Sequence, residues 1–192
     1  PIVVTAGDGQ AAALGAQVHG LDLAYLNLGT AVVSGTISAE YRVDLAFRTM
    51  GGAEPGTYLL ESDLRGGTFT VDWLLGTLLD GKVAIRDLEA AAAALPVGAS
   101  GLVLVPYLAT VMDPYWDDDA SGVVVGLRGE HGPAHLLRAI MEGSAMEERL
   151  HLDAIQRATG PPIEAVHVLG GGSRRDLWCQ VLADARARPV RR

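Results

Sequence analysis

The stretch that decides the fold is AVHVLGGGS, at residues 165–173. Its first five residues form an apolar run with the length and composition of a buried strand. Three glycines, Gly170, Gly171 and Gly172, follow directly, and apolar periodicity predicts an amphipathic helix from about residue 174 to 186. The sequence Pro-Val at 189–190 reads as the entry to another strand. Strand, glycine turn and helix in this order are typical of an α/β sheet.

A second glycine turn lies in LNLGT, at residues 26–30. Two β-prone runs, 24–28 and 31–38, flank Gly29 and Thr30, which predicts a tight hairpin. Further short strands are expected at 46–50 and 57–61, and residues 1–5 are apolar and β-branched, as in a strand. Consecutive strands therefore open the main domain.

Helical spacing of apolar residues dominates the rest of the chain. It predicts helices at 10–18, 69–79 and 86–95, and a long helix that starts near Pro133 and ends at Gly160. The run 101–108 predicts a buried strand, and 123–127 a shorter one. We expect an α/β fold with a mixed sheet flanked by helices.

Composition excludes several classes of protein. The 192 residues are 49% hydrophobic and 20% charged, with a net charge of −8, which argues against wholesale disorder and against a general nucleic-acid binder. The single cysteine, Cys179, allows no intramolecular disulfide and fits a reducing cytosol. The apolar runs are too short to cross a bilayer, so we expect a cytoplasmic protein without a membrane partner.

The glycine turns and one acid are the candidates for chemistry. Glycine lets backbone N–H groups approach a phosphate, and the helix after Gly172 adds a positive dipole end. Asp8 stands between two glycines before a helix, where its carboxylate could accept a proton from a hydroxyl group. The residues alone favour tight turns for each glycine pair and a helix cap for Asp8.

Other polar clusters are weaker candidates. His131 and His135 have a spacing found in metal sites, but the sequence shows no carboxylate or cysteine partner beside them, so a solvated helix start fits better. The acidic run 117–119 lacks the alternating ligands of a calcium loop. We therefore assign no residue to a metal site.

Taken together, these segments resemble the FGGY carbohydrate kinase family. GDGQAAALG at 7–15 resembles the family's Gly-Asp-x-x-Ala-x-x-Leu-Gly segment, and LNLGT at 26–30 resembles its phosphate hairpin. GGGS at 170–173, together with LWCQVLAD at 177–184, resembles its adenosine-binding turn and helix. PYL at 106–108, PYWD at 114–117, GVVVGL at 122–127 and HLLRAIMEG at 135–143 follow in the family's order. The region from residue 41 to 73 looks most like the xylulokinase branch.

The resemblance implies the C-terminal, ATP-binding lobe of a two-lobed kinase with a ribonuclease H-like fold of the actin-like ATPase superfamily. Residues 1–20 would be the last strand and helix of the N-terminal sugar-binding lobe. Residues 21–192 would be the nucleotide-binding lobe, truncated at its end.

The resemblance also implies roles for single residues. Asp8 would be the catalytic base, and Gly29 and Thr30 would hold the β- and γ-phosphates of ATP. The turn of Gly170, Gly171 and Gly172 would hold the adenosine. Arg175 stands beside this turn, where the family usually has a small or amide residue. Mg²⁺ is implied by the reaction rather than by any cluster of ligands.

Three functions remain open on this basis. The first is phosphorylation of a sugar hydroxyl, with D-xylulose as the acceptor. The second is a catalytically incomplete fragment that binds nucleotide or a partner, because catalysis of this kind needs two lobes to close around both substrates. The third is a kinase for another polyol or ketose, such as glycerol. Apolar surface at the chain ends would also favour self-association, including a homodimer.

Overall fold

The computed structural model describes residues 6–192, and the strand expected at 1–5 lies outside this range. Its centre is a six-stranded mixed sheet, with strands β1 (Leu23–Leu28), β2 (Val32–Ser38), β3 (Arg48–Gly51), β4 (Tyr58–Leu64), β7 (Ala165–Leu169) and β8 (Val190–Arg191). Their spatial order is β3-β4-β2-β1-β7-β8. The predicted hairpin, the strand 165–169 and the strand entry at 189–190 are confirmed.

Sheet topology brings distant parts of the chain together. Strands β1 to β4 are antiparallel neighbours, with Leu28 opposite Val32 across the tight β1–β2 turn. Strand β7 then pairs in parallel with β1, and Asn27 lies opposite Leu169. Because these two strands run in the same direction, the turns that follow them lie at the same edge of the sheet.

One face of the sheet is covered by a layer of helices. These are α2 (Thr68–Trp73), α3 (Ile85–Ala93), the 27-residue α4 (Pro133–Thr159) and α5 (Asp176–Arg186). Helix α4 is central, since it contacts β2 and β4 as well as α2, α3 and α5. Its apolar stripe, which includes Leu137, Ile140 and Ile155, packs with Leu26 and Leu28 of β1 in the main core. Gly160 ends this helix at a positive φ of 97°, as the sequence predicts.

The opposite face carries α1 (Asp8–Gly15) and a smaller core formed by Ala13, Val18, Tyr25, Ile37 and Leu59. The helix predicted at 10–18 thus begins two residues earlier and ends at Gly15. It stops there because Gln17 adopts a positive φ of 58°, which an α-helix excludes. Toward the far end of β4 this face is polar, and that part belongs to the site described below.

Strands β5 (Val103–Val105) and β6 (Val123–Val125) form a separate two-stranded sheet that packs on α4. The buried strand predicted at 101–108 is therefore wrong in extent and in environment. Only Leu104 of β5 enters the core, whereas Val103 and all three valines of β6 are exposed. The helix predicted at 69–79 also divides, because a π-helical turn at Leu74–Leu78 follows α2.

Among residues 6–192, no helix combines the length and the apolar character needed to span a membrane.

Candidate active site

The two glycine turns meet at one edge of the sheet, as the parallel pairing of β1 and β7 requires. Gly170 has a φ of +85°, and a Cβ built on it would overlap the Asn27 side chain and lie 2.8 Å from the Leu28 carbonyl oxygen. A Cβ at Gly172 would lie 2.8 Å from Leu28 Cβ. The triple-glycine turn therefore packs against the end of β1, directly before the hairpin, and side chains at these positions would prevent that approach.

The hairpin is held from its other side by the start of α2. The Thr68 amide donates to the Gly29 carbonyl at 2.9 Å, and the Phe69 amide donates to the Thr30 carbonyl at 3.2 Å. Gly67 completes the contact, since a Cβ there would lie 2.7 Å from the Gly29 oxygen. These bonds fix the hairpin backbone while the Thr30 side chain stays exposed.

Asp8 lies at the start of α1, on the polar part of the sheet face. The interpretation of Asp8 as the helix cap is wrong, because Gly7 is the N-cap and Asp8 is the first helical residue. Asp8 Oδ1 instead accepts the amide hydrogen of the next residue, Gly9, at 2.9 Å. The Asp8 side chain is exposed. A Cβ at Gly9 would overlap Glu61 Oε2, which places the helix start directly over Glu61 of β4.

Strand register gives the separation between the start of α1 and the hairpin. Glu61 lies opposite Gly35, and Leu64 lies opposite Val32 at the hairpin. Three residues of extended chain cover about 10 Å. The start of α1, which lies over Glu61, is therefore three residues from the level of the hairpin, measured along β4.

An ion-pair network lies under the start of α1. Glu61, which is 2% exposed, accepts a hydrogen bond from the Tyr25 hydroxyl. Its Oε1 also accepts two hydrogen bonds from Arg48, from Nε at 2.9 Å and Nη2 at 2.5 Å. Arg48 Nη2 lies 3.9 Å from Asp63 Oδ2. The Asp63 amide in turn donates to Asp113 Oδ2 at 3.0 Å, so the network extends to the loop after β5.

Burial shifts the protonation equilibria of this network. Desolvation, followed by the charge and the hydrogen bond of Glu61, raises the pKa of the Tyr25 hydroxyl well above its ordinary value, so this group stays a hydrogen-bond donor. Burial also raises the pKa of Asp63, although the nearby Arg48 opposes the shift. The pKa of Asp113 rises to about 6, again chiefly through burial.

The sequence prediction missed this network, although one signal was present. Glu61 ends the strand predicted at 57–61, and Asp63 lies two residues later, so a strand continued to Asp63 places both side chains on one face. Their partner Arg48 is 13 residues from Glu61 and can be assigned only from the register, in which the two lie opposite each other.

The predicted nucleotide residue Arg175 lies at the entrance to α5. Its Nη1 is 2.8 Å from Glu89 Oε2 of α3, an acid that the sequence did not single out. Between α3 and the glycine turn is an open cleft lined by Glu89, Ala93, Gly171 and Arg175. The structure thus places Arg175 beside the triple-glycine turn, within an ion pair that joins two helices.

The two histidines, His131 and His135, accept backbone hydrogen bonds at the start of α4. His131 Nδ1 accepts the Arg128 amide hydrogen at 3.0 Å, and His135 Nδ1 accepts that of Gly132 at 3.1 Å. Within the described range 6–192, no three His, Cys, Asp or Glu side chains are arranged to hold a metal ion.

Comparison with known proteins decides the family. The profile described as "FGGY family of carbohydrate kinases, C-terminal domain" matches residues 24–192. The chain belongs to the FGGY family. This FGGY domain is 31% identical over 186 residues to the xylulose kinase of Escherichia coli (strain K12), with coverage of 96% of the chain and 38% of that protein. It is 33% identical over 204 residues to the glycerol kinase of Methylibium petroleiphilum, with coverage of 99% of the chain and 40% of that protein.

Solved structures agree with this assignment. The crystal structure of xylulose kinase from Rhodospirillum rubrum superposes on this FGGY domain with a TM-score of 0.84 at 31% identity, covering 96% of the chain and 37% of that protein. The fold is therefore that of FGGY sugar kinases, the ribonuclease H-like fold of actin-like ATPases. The chain spans about two fifths of the length of the relatives it matches.

Proposed function

We propose that this domain is the nucleotide-binding lobe of an ATP-dependent sugar kinase and that it carries the catalytic base, Asp8. The observation that carries the proposal is the convergence of three segments far apart in sequence. The β1–β2 hairpin and the turn after β7 lie at one edge of the sheet, and the start of α1 lies over the sheet face, about 10 Å from the level of the hairpin along β4. This spacing leaves room for one phosphoryl group and the hydroxyl that attacks it.

Each segment has a role in this reaction. The Asp8 carboxylate takes the proton of a sugar hydroxyl as that oxygen attacks the γ-phosphorus. The bond from the γ-phosphorus to its bridging oxygen breaks, and ADP leaves with that oxygen. Gly29 and Thr30 hold the β- and γ-phosphates. Gly170, Gly171 and Gly172 hold the adenosine, and Arg175 contacts the nucleotide at the same turn.

The glycine turn supports nucleotide binding, because Gly170 and Gly172 let it pack against the end of β1 beside the hairpin, while Gly171 is exposed and has open space where a side chain would stand. Kinases of this reaction class use Mg²⁺ with ATP. The carboxylates and histidines of residues 6–192 form no cluster that fits this ion, and we assign no protein ligand to it.

We further propose that residues 1–20 belong to the sugar-binding lobe and 21–192 to the nucleotide-binding lobe. The start of the family match at residue 24 and the position of α1 on the sheet face opposite α4 support this division. On this basis the isolated 192 residues do not phosphorylate sugars, since one lobe cannot enclose both substrates.

D-Xylulose is our first candidate for the acceptor, supported by the xylulose kinases from Escherichia coli and Rhodospirillum rubrum. Glycerol is the second, because the glycerol kinase from Methylibium petroleiphilum is equally similar in sequence.

The test is Asp8→Asn in the full-length polypeptide that contains this chain. Loss of a general base lowers kcat by about 10²–10⁴-fold. Binding of ADP, measured by calorimetry, should stay within twofold because the carboxylate does not contact the adenosine turn. Asp22→Asn, at another exposed acid, which lies just before β1, is the matched control and should keep full activity. Wild-type turnover by Asp8→Asn would refute the base assignment.

A further inference from the structure

Arg48 has hydrogen-bonding capacity that the domain does not use. Glu61 accepts bonds from its Nε and Nη2, whereas its Nη1 has no acceptor among residues 6–192. The Arg48 side chain is 39% exposed, although the Glu61 side chain beneath it is 3% exposed. Asp63 Oδ1 is buried without a hydrogen-bond partner in the described residues, so the 14% of this side chain that is exposed offers Oδ2, beside Arg48, to a ligand. A guanidinium held rigidly by one carboxylate presents its remaining donors in a fixed geometry.

These groups lie on β3 and β4, beside the path from the proposed base to the phosphate hairpin of β1 and β2. Asp63 lies opposite Val33 in the β2–β4 register, one step from the Val32–Leu64 pair at the hairpin. Glu61, two residues earlier, lies under the start of α1. Arg48 bridges Glu61 and Asp63 from the neighbouring strand. The phosphoryl group takes the path to the hairpin, so the carbon chain of an acceptor whose hydroxyl reaches Asp8 extends sideways, over the strip formed by Arg48, Glu61 and Asp63.

The charge of the strip discriminates between classes of acceptor. Two cations, Arg48 and Arg65, lie among three acids, Asp8, Glu61 and Asp63. Asp113 beneath them is fully buried. A net negative surface repels an anionic acceptor, and it also repels any additional phosphate group. A neutral polyol experiences no net repulsion. Its hydroxyl groups both donate and accept, so they match a guanidinium beside a carboxylate.

We propose that Arg48 and Asp63 form an acceptor subsite that binds the hydroxyl groups of a neutral polyol or ketose and disfavours sugar acids. This inference rests on the proposed kinase function. It assigns to the nucleotide-binding lobe a share in acceptor selection.

The experiment measures steady-state kinetics of the full-length protein with D-xylulose and glycerol, which are neutral, and with D-gluconate, which is anionic. Loss of a hydrogen bond from a charged donor raises KM by about 10- to 100-fold. We expect this rise for the neutral acceptors in Arg48→Gln, with KM for ATP within twofold of wild type. Arg188→Gln, which removes an exposed ion pair with Glu164, is the matched control and should change neither constant.

Asp63→Asn tests the charge argument separately. Removal of one negative charge should raise kcat/KM for gluconate relative to xylulose by about tenfold. Because Arg48→Gln could disturb folding, its melting temperature is measured too, and Arg48→Lys is the second variant. Lysine keeps the positive charge but cannot donate from two nitrogens in the fixed geometry of a guanidinium. Arg48→Lys should therefore raise the acceptor KM by a smaller factor than Arg48→Gln.

Two results separate the inference from the function on which it rests. If Asp8→Asn is inactive but folded Arg48 and Asp63 variants keep wild-type acceptor KM and selectivity, the subsite is refuted and the kinase function stands. If the wild-type protein phosphorylates none of the acceptors, or Asp8→Asn keeps full activity, the proposed function fails and the subsite fails with it.

Discussion

Glu148 provides a sharp test of the packing between α4 and the sheet. It is fully buried, and neither carboxyl oxygen has a hydrogen-bond partner in the described residues. Ser34, Glu147 and Arg186 surround it, and His151 Nδ1 lies 3.8 Å from its Oε1. Burial raises the pKa of Glu148 to about 8 and lowers that of His151 to about 4. At pH 6.5 both side chains are therefore neutral in the folded protein.

The sign of the pH dependence follows from proton uptake. Between pH 4.5 and 8 the unfolded chain has lost the Glu148 proton that the folded protein keeps, so this group makes stability fall as pH rises. His151 acts in the opposite direction, but only below its unfolded pKa of 6.5. From pH 6.5 to 8 only the carboxyl contribution remains. At about 1.4 kcal/mol for each pH unit, this window costs about 2 kcal/mol of unfolding free energy.

We expect Glu148→Gln to remove this loss, because the amide has nearly the same shape and cannot ionise. Urea unfolding at pH 6.5 and pH 8 should show a drop of about 2 kcal/mol for the wild type and almost none for the variant. Glu164→Gln, at an exposed carboxylate, is the control and should retain the wild-type drop. A wild-type protein equally stable at both pH values, or an equal drop in Glu148→Gln, would contradict a neutral Glu148.

Two glycine substitutions test the sheet and the turn. Gly35→Ala places a Cβ 2.6 Å from the Leu60 carbonyl oxygen in the paired strand and should cost about 1–3 kcal/mol in urea unfolding, whereas Gly15→Ala meets nothing within 4 Å and should cost nothing. Gly170→Ala forces an L-residue to φ +85° against Leu28 and should cost at least about 2 kcal/mol and weaken ADP binding. Gly171→Ala has open space around its Cβ and should leave stability unchanged, so equal losses in the two turn variants would argue against the packing described.

Local chemistry made much of the fold predictable. The β1–β2 hairpin follows from Gly29 and Thr30 between two β-prone runs, and β7 has the predicted bounds because glycines end it sharply. The long helix begins at Pro133 and stops at Gly160, two residues whose backbone preferences act without help from the rest of the chain. The meeting of the two glycine turns followed only from the family resemblance, since parallel pairing is not encoded locally.

Burial could not be predicted from hydropathy alone. The run at 101–108 has the composition of a buried strand, yet β5 pairs only with the short β6, and the outward-facing Val103 is 56% exposed. Whether an apolar strand lies inside depends on which elements cover it, and that is a property of the tertiary structure. The same reason explains why Glu61, a charged residue in a mixed strand, is almost completely buried.

The polar strip of Arg48, Glu61 and Asp63 depends on two glycines, Gly9 and Gly35, that lie outside both glycine turns. Glu61 is flanked by Gly9 above it and by Gly35 across the strand pair, and a side chain at either position would collide with it or with its strand. Both glycines therefore let a carboxylate approach the start of α1 closely enough to hold Arg48 beside the proposed base. A slip of one residue between β2 and β4 would turn Glu61 and Asp63 to the opposite face. The register of two strands thus determines which groups face the acceptor, and Gly35, which permits the close pairing, matters as much to the candidate site as the glycines that would touch ATP.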